Sequence, residues 1–241
     1  MNWARIRHIQ LADGRPAVAK ETDYDARLEA EGLEALRTAG APVPVVYRVT
    51  EHELVLEDLS GTPDWETLGR TLARVHLTSA EEFGWPHDNV IGPLPQPNGG
   101  RRRWPDFFVE RRIIPFLDAL PTHLSRRLAL ACEGPLPDLV DHDTRPSLIH
   151  GDLWSGNVVD GRWLVDPAVS YSDREIELAF SSLFGDLPDT FHRAYADVWR
   201  LDDGWEERRP ALQLYHLLVH CRIFGGDYVH MVAQRLQHYH W

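Results

Sequence analysis

The sequence predicts an α+β fold in which a small N-terminal antiparallel sheet with one helix precedes a larger, mainly helical part. Three observations carry that expectation. Short extended runs separated by turn residues, with one helical stretch among them, fill the chain up to Glu57. From Asp64 onward apolar residues recur mostly at helical spacing. One strand-turn-strand pattern, from Val158 to Val165 around Asp160-Gly161, interrupts the helical part. With 241 residues, 43% of them hydrophobic, and nine Trp, the chain can bury one large core or two packed lobes.

Composition narrows the function. Two cysteines, Cys132 and Cys221, form neither a disulfide framework nor a C-x-x-C metal pair, so a reducing cytoplasm is the expected home. No basic N-terminal region leads into an apolar run, and no stretch approaches the roughly 18 apolar residues of a spanning helix, so neither secretion nor membrane insertion is expected. A formal charge of -12 argues against general nucleic-acid binding and is compatible with a cationic small substrate.

In chain order, Trp3–Leu11 reads as a strand, Asp13-Gly14 as a tight turn and Pro16–Lys20 as the returning strand. Lys20 is the single lysine among 25 basic residues, which points to a need for a compact ammonium there. Tyr24–Ala39 reads as a helix, capped by Asp23 and ended by Gly40 and Pro42, with Leu28, Leu33 and Leu36 largely on one face. A strand Lys followed by a helix Glu is the ion pair that positions ATP phosphates in kinase-like lobes. Register against the leucines favours Glu29 as the partner, with Glu31 the neighbouring candidate. Val43–Val49 and Glu53–Glu57 read as strands, and Asp58–Gly61 as a linker. The expected organisation is therefore a nucleotide-binding lobe at residues 1–58 and a catalytic and substrate lobe at 59–241, with the backbone around Glu57 to Leu59 offered to an adenine edge.

Asp64 can cap a helix running to about Leu77 around Leu68, Leu72 and Val75. The segment from Glu81 to Gly100 is rich in Gly, Pro and Asn and reads as a long ordered loop, a kind of segment that often lines sites. Trp104–Leu120 reads as a helix kinked at Pro115, and Leu124–Cys132 as another. Helices are also expected at Arg174–Phe184, Thr190–Trp199, Pro210–Phe224 and Tyr228–Tyr239.

The chemistry concentrates in LIHGDLWSGNVVDGRWLVDPAV, Leu148 to Val169. Asp152 and Asn157 stand five residues apart, as in the H-x-D-x-x-x-x-N pattern of phosphoryl-transfer loops. Asp160-Gly161 tolerates the positive φ of a tight two-residue turn, and the hairpin it closes brings Asn157 and Asp166 together. An amide oxygen and a carboxylate converging there suit Mg²⁺, and Asp152 is placed to take a proton from an attacking hydroxyl.

HGDLWSGN at His150–Asn157, DPA at Asp166–Ala168, FGWPHDNVIGPLPQPN at Phe83–Asn98, ELAFSSLFG at Glu177–Gly185 and the spacing of Lys20 and Glu29 together resemble the fructosamine kinase (ketosamine-3-kinase) family. The resemblance spans nearly the whole chain. It implies a two-lobed protein kinase-like fold, similar to that of aminoglycoside phosphotransferases, and ATP-dependent phosphorylation of the 3-hydroxyl of a ketoamine, which leads to deglycation. It further implies that Asp152 is the base, Asn157 and Asp166 are Mg²⁺ ligands, and Lys20 and Glu29 are the phosphate contact and its partner. Trp154 and His220 are implied substrate contacts, His150 an internal brace, and Arg222 stands where the family's late H-x-N-x-F-G element has Asn. Kinase-like lobes place the Lys after two strands and a glycine-rich loop, whereas 19 residues precede Lys20, so a minimal nucleotide lid is expected. A kinase for another hydroxyl compound, such as an aminoglycoside or amino alcohol, and a non-catalytic binding protein of the same fold are the alternatives.

Overall fold

A computed structural model describes residues 4–241; Trp3, at the head of the first expected strand, lies outside the described residues. Strands β1 (Ala4–Gln10) and β2 (Pro16–Thr22) form the expected hairpin, antiparallel from Ala4 opposite Thr22 to Gln10 opposite Pro16. Helix α1 (Ala26–Thr38) begins two residues later than predicted, and Asp25 rather than Asp23 caps it by accepting the Arg27 N–H. The cause is tertiary: Thr22 and Ala26 donate backbone hydrogen bonds to His52 and Glu51, which ties the intervening residues to the next strand turn. Strand β3 (Val46–Val49) is shorter than the Val43–Val49 run because Pro44 has no N–H for a ladder. With β4 (Glu53–Glu57) the sheet has the order β1-β2-β4-β3, in which Lys20 faces Leu54 and Ala17 faces Glu57.

Beyond the sheet, Asp64 caps α2 (Trp65–Val75) through the Thr67 N–H. The Glu81–Gly100 segment is not irregular throughout, since it folds into a small hairpin, β5 (Asn89–Ile91) with β6 (Leu94–Gln96). The expected single helix Trp104–Leu120 is three pieces: α3 (Trp104–Phe107), a π-helical turn (Phe108–Ile113) and a 3₁₀ segment (Ile114–Ala119). Pro115, which cannot donate within a helix, sits where the last piece starts. Then come α4 (Thr122–Cys132) and α5 (Pro135–Val140), the latter too short to have been visible as a period, and β7 (Ser147–Ile149). A 3₁₀ turn (Ser155–Asn157) leads into β8 (Val158–Val159) and β9 (Trp163–Leu164), and β10 (Ser170–Ser172) returns antiparallel to β7.

Helix α6 (Arg174–Ser181) stops short of Phe184, its end marked by the Ser181 and Ser182 hydroxyls bonding back to Leu178 and Ala179 carbonyls. Helix α7 (Asp189–Val198) packs on α2. The predicted Pro210–Phe224 helix is two helices, α8 (Trp205–Leu212) and α9 (Leu214–Phe224), broken at Gln213, whose side chain is turned to the Ala179 carbonyl. Gly225 and Gly226 then turn the chain into α10 (Asp227–His238). Two large apolar cores result. One fills the helical part around Phe107, Phe108, Leu128 and Leu217. The other joins Leu33, Leu36 and Leu54 to Leu72, Leu148, Leu164 and Phe191, so helix α1 and the sheet share a core with the loop bearing Asp152. Among the described residues no helix is long and apolar enough to cross a membrane.

Candidate active site

The Leu148–Val169 stretch folds as two arms held together by backbone bonds. The Ala168 N–H donates to the His150 carbonyl at 2.8 Å and the Val165 N–H to the Asn157 carbonyl at 3.1 Å. Asp160 (φ 50°) and Gly161 (φ 58°) form the turn, closed by the Arg162 N–H on the Val159 carbonyl. Val159 pairs with Trp163, so Arg162 is one residue more than the predicted two-residue connection. Gly151 is a position where only glycine fits: its φ is +85°, and a Cβ there would lie 2.0 Å from the Ala168 carbonyl oxygen. That close approach sets Asp152 beside Asp166.

The Asn157 amide nitrogen donates to the Asp152 carbonyl at 2.8 Å and to Asp152 Oδ2 at 2.9 Å. Asn157 Oδ1 is thereby turned away from Asp152. Asp152 keeps one face open to a cavity of about 530 Å³. Burial pushes its carboxyl up to about 7; the negative Asp166 and Glu177 add to the shift, while the Asn157 hydrogen bond opposes it. A carboxyl balanced there can accept a proton at neutral pH.

Across the cavity, Lys20 Nζ lies 2.8 and 2.7 Å from the two Glu29 oxygens and 2.8 Å from Asp166 Oδ1. Burial works against its charge, but the two carboxylates outweigh it and hold the ammonium well above the usual lysine range. Glu31 points elsewhere, accepting from Trp85 Nε1 at 2.9 Å and meeting His87 at 3.1 Å, so it fastens α1 to the Phe83–Asn98 segment. Tyr24 also lines the cavity, and its hydroxyl donates to Glu29 Oε2 at 2.5 Å. Sequence reasoning passed over Tyr24, which carries no periodic or motif signal.

A layer of buried polar groups supports this arrangement. The Gly151 N–H donates to Glu177 Oε2, and its carbonyl accepts from His216 Nε2 at 2.9 Å. Glu177 Oε1 meets His76, whose other nitrogen meets the Tyr195 hydroxyl at 2.7 Å. His76 is fully buried and hydrogen-bonded at both ring nitrogens. His150 braces the arms through the Val165 carbonyl at 3.0 Å. Glu177 stood inside a quoted motif without a role, and His216 had no signal, because only the folded chain brings either to Gly151.

The Phe83–Asn98 loop is anchored behind the Asp166 arm. Asn89 donates to the Val169 carbonyl at 2.9 Å, Gln96 to the Ala168 carbonyl at 3.1 Å and to Asn89 at 2.8 Å, and Asn98 to Asn89 at 2.7 Å. Arg112, buried without a carboxylate, donates to Asn98 and the Pro97 carbonyl. The hairpin thereby presents Val90, Ile91 and Gly92 to the cavity. Trp154, 37% exposed, and His220 line the same cavity. Glu57 and Leu59 lie outside its lining, Glu57 at the end of the inner strand β4 opposite Ala17. Arg222 also stands outside it, paired with Asp118 on the surface.

A small sheet with its Lys–Glu pair, set over a helical part carrying an Asp–Asn–Asp cluster, defines a phosphotransferase of protein kinase-like fold. The comparisons with known proteins agree. The fructosamine kinase family model matches residues 19–240. The chain is 36% identical over 234 residues to a probable ketoamine kinase of Synechocystis sp., covering 87% of this chain and 76% of that protein. It superposes with a TM-score of 0.88, at 36% identity, on the crystal structure of a protein assigned as a fructosamine-3-kinase from Thermobifida fusca, covering 98% of this chain and 91% of that one. A streptomycin–ATP–APH(2")-IIa complex shares the fold, with a TM-score of 0.60 at 13% identity over 97% of this chain and 91% of that one. The chain belongs to the fructosamine kinase family, and is a kinase acting on a hydroxyl group.

Proposed function

We propose that the protein transfers the γ-phosphoryl group of ATP to the 3-hydroxyl of a ketoamine of the fructosamine type, a step that leads to deglycation. The observation that carries this reading is the convergence of Lys20, Asp152, Asn157 and Asp166 on one cavity. Lys20, oriented by Glu29, holds the nucleotide phosphates, and the substrate hydroxyl approaches Asp152, which accepts its proton as the phosphoryl group arrives. Asn157 Oδ1 and the Asp166 carboxylate are hard oxygens on one wall and suit Mg²⁺, whose chemistry there is neutralisation of phosphate charge. Residues 1–58 act as the nucleotide lobe and 59–241 as the catalytic and substrate lobe. The backbone from Glu57 to Leu59 receives the adenine; Ala17, opposite Glu57, stands three residue steps from Lys20 along β2, about 10 Å at ~3.3 Å per residue, a span suited to a nucleotide between base and phosphates. Trp154 faces the sugar, His220 contacts the substrate, and the cytoplasm is the proposed location. Purified protein with ATP, Mg²⁺ and a fructosamine is expected to yield the 3-phosphate, read by ³¹P NMR, and Asp152→Asn is expected to lower kcat by at least about 100-fold. Absence of a phosphorylated product from any ketoamine refutes the reading.

A further inference from the structure

One wall of the cavity remains without a role in phosphoryl transfer. It is aromatic, formed by Phe184 after α6, His220 and Phe224 on α9, and Tyr228 on α10. His220 sits among the other three, with ring centroids 4.7 Å from Phe184, 4.9 Å from Tyr228 and 5.6 Å from Phe224. Phe184 and Tyr228 meet edge to face at 5.9 Å. Phe224 is 50% exposed, far from the burial expected of a ring that serves only as core. The paired glycines Gly225 and Gly226, both at positive φ, make the corner that folds Tyr228 back beside His220.

The tautomer of His220 follows from geometry. Its Nδ1 lies 2.7 Å from the His216 carbonyl, which can only accept, so Nδ1 carries the proton and Nε2 is an acceptor. Burial lowers the ring's pKa and keeps it neutral, so it does not repel a cation. The rest of the lining points the same way. Among the described residues, Glu29, Asp152 and Asp166 line the cavity against one cation, Lys20, which is already bonded to two of them. The wall therefore offers ring faces, one lone pair and a negative surround, and no charged donor for an anion.

Resting on the ketoamine kinase reading, we propose that Phe184, His220, Phe224 and Tyr228 form the subsite for the protonated nitrogen of the ketoamine and its substituent. Ring faces take the ammonium, and His220 Nε2 accepts its N–H. The subsite selects ketoamines whose nitrogen carries an uncharged alkyl or aryl group over those with a carboxylate next to the nitrogen, because among the described residues lining the cavity that anion meets no cation other than Lys20, already held by Glu29 and Asp166, and faces like charge. These are specificity residues; Asp152 remains the group that acts on the reacting hydroxyl.

The test is a substrate panel on the full chain with ATP and Mg²⁺: the butylamine adduct of fructose, the glycine adduct joined through its amino group, and 1-O-butylfructose, the neutral ether of the same shape. The butylamine adduct is expected to exceed each of the others by about 3- to 30-fold in kcat/KM, the range of a desolvated cation–π contact, mainly through KM. Tyr228→Leu and Phe184→Leu are expected to raise its KM by a similar factor of about 3–30 while KM for ATP and kcat stay within about twofold. Equal efficiency for the amine and its ether, or for the glycine and butylamine adducts, overturns the subsite. So does an unchanged KM in both folded variants; if both fail to fold, the panel on the unsubstituted chain decides alone. Turnover of none of the three compounds refutes the ketoamine reading itself, a different outcome from turnover without discrimination.

Discussion

Gly151→Ala tests whether the two arms of the site are held at the spacing on which the chemistry depends. Alanine at φ +85° costs about 1–2 kcal/mol from backbone conformation alone. Its Cβ would also meet the Ala168 carbonyl oxygen at 2.0 Å and carbon at 2.7 Å, both main-chain atoms that no rotamer change can move. One arm must shift. The bond most exposed to that shift joins Ala168 N–H to the His150 carbonyl, worth about 1 kcal/mol, and Gly151 is further pinned by Glu177 and His216. The sum is about 3 kcal/mol, which for a domain of this size lowers Tm by roughly 6–12 °C. Displacing Asp152 by about 1 Å relative to Lys20 and Asp166 is expected to reduce kcat by about 100-fold. Thermal melts and single-turnover phosphorylation read the two effects separately. A Gly151→Ala protein with unaltered Tm and kcat refutes the claim that this close approach positions Asp152.

Three further outcomes follow from the buried polar groups. Lys20→Met leaves Glu29 buried without its cation and is expected to destabilise by about 3–5 kcal/mol in urea titrations, part of which Glu29→Gln restores in the double variant; additive losses would refute the pairing. Gln96→Ala strands the Tyr215 hydroxyl and the Ala168 carbonyl, both buried, for about 2–4 kcal/mol in the same assay, and a loss below about 0.5 kcal/mol would mean the hairpin anchor is idle. For His142, burial lowers the pKa, but the hydrogen bond and charge of Asp173, with Glu175, raise it above the ordinary value overall. A raised folded pKa contributes stability in full below the unfolded pKa and loses it as pH rises through the folded value. His142→Gln should therefore cost more stability at pH 5.5 than at pH 8.5, and the reverse ordering would contradict the Asp173 pairing.

The chain announces its fold through local rules. Hairpin turns at Asp13-Gly14 and Asp160-Gly161, and the helical periods of α1 and α2, each follow from a few neighbouring residues, and the hairpins and helices reappear in three dimensions, the second hairpin with Arg162 added to its connection. The leucine register of α1 already favoured Glu29, since a residue on the buried face is the one that reaches the interior. Local rules misplace the features that long-range bonds decide. The start of α1 is set by Glu51, the end of α6 by serine back-bonds, the break before α9 by Gln213, and the β5–β6 hairpin by amides that reach Ala168 and Val169.

The division is sharpest at the site. Residue type and spacing singled out Lys20, Glu29, Asp152, Asn157 and Asp166, and the folded chain brings all five to the lining of one cavity. That Asp152 titrates near 7, that Lys20 bridges Glu29 and Asp166 across 146 residues, and that Glu177 and His216 grip Gly151 depend on burial and on partners far apart in the chain. Desolvation and contact are properties of the packed chain, so only the tertiary structure could decide them.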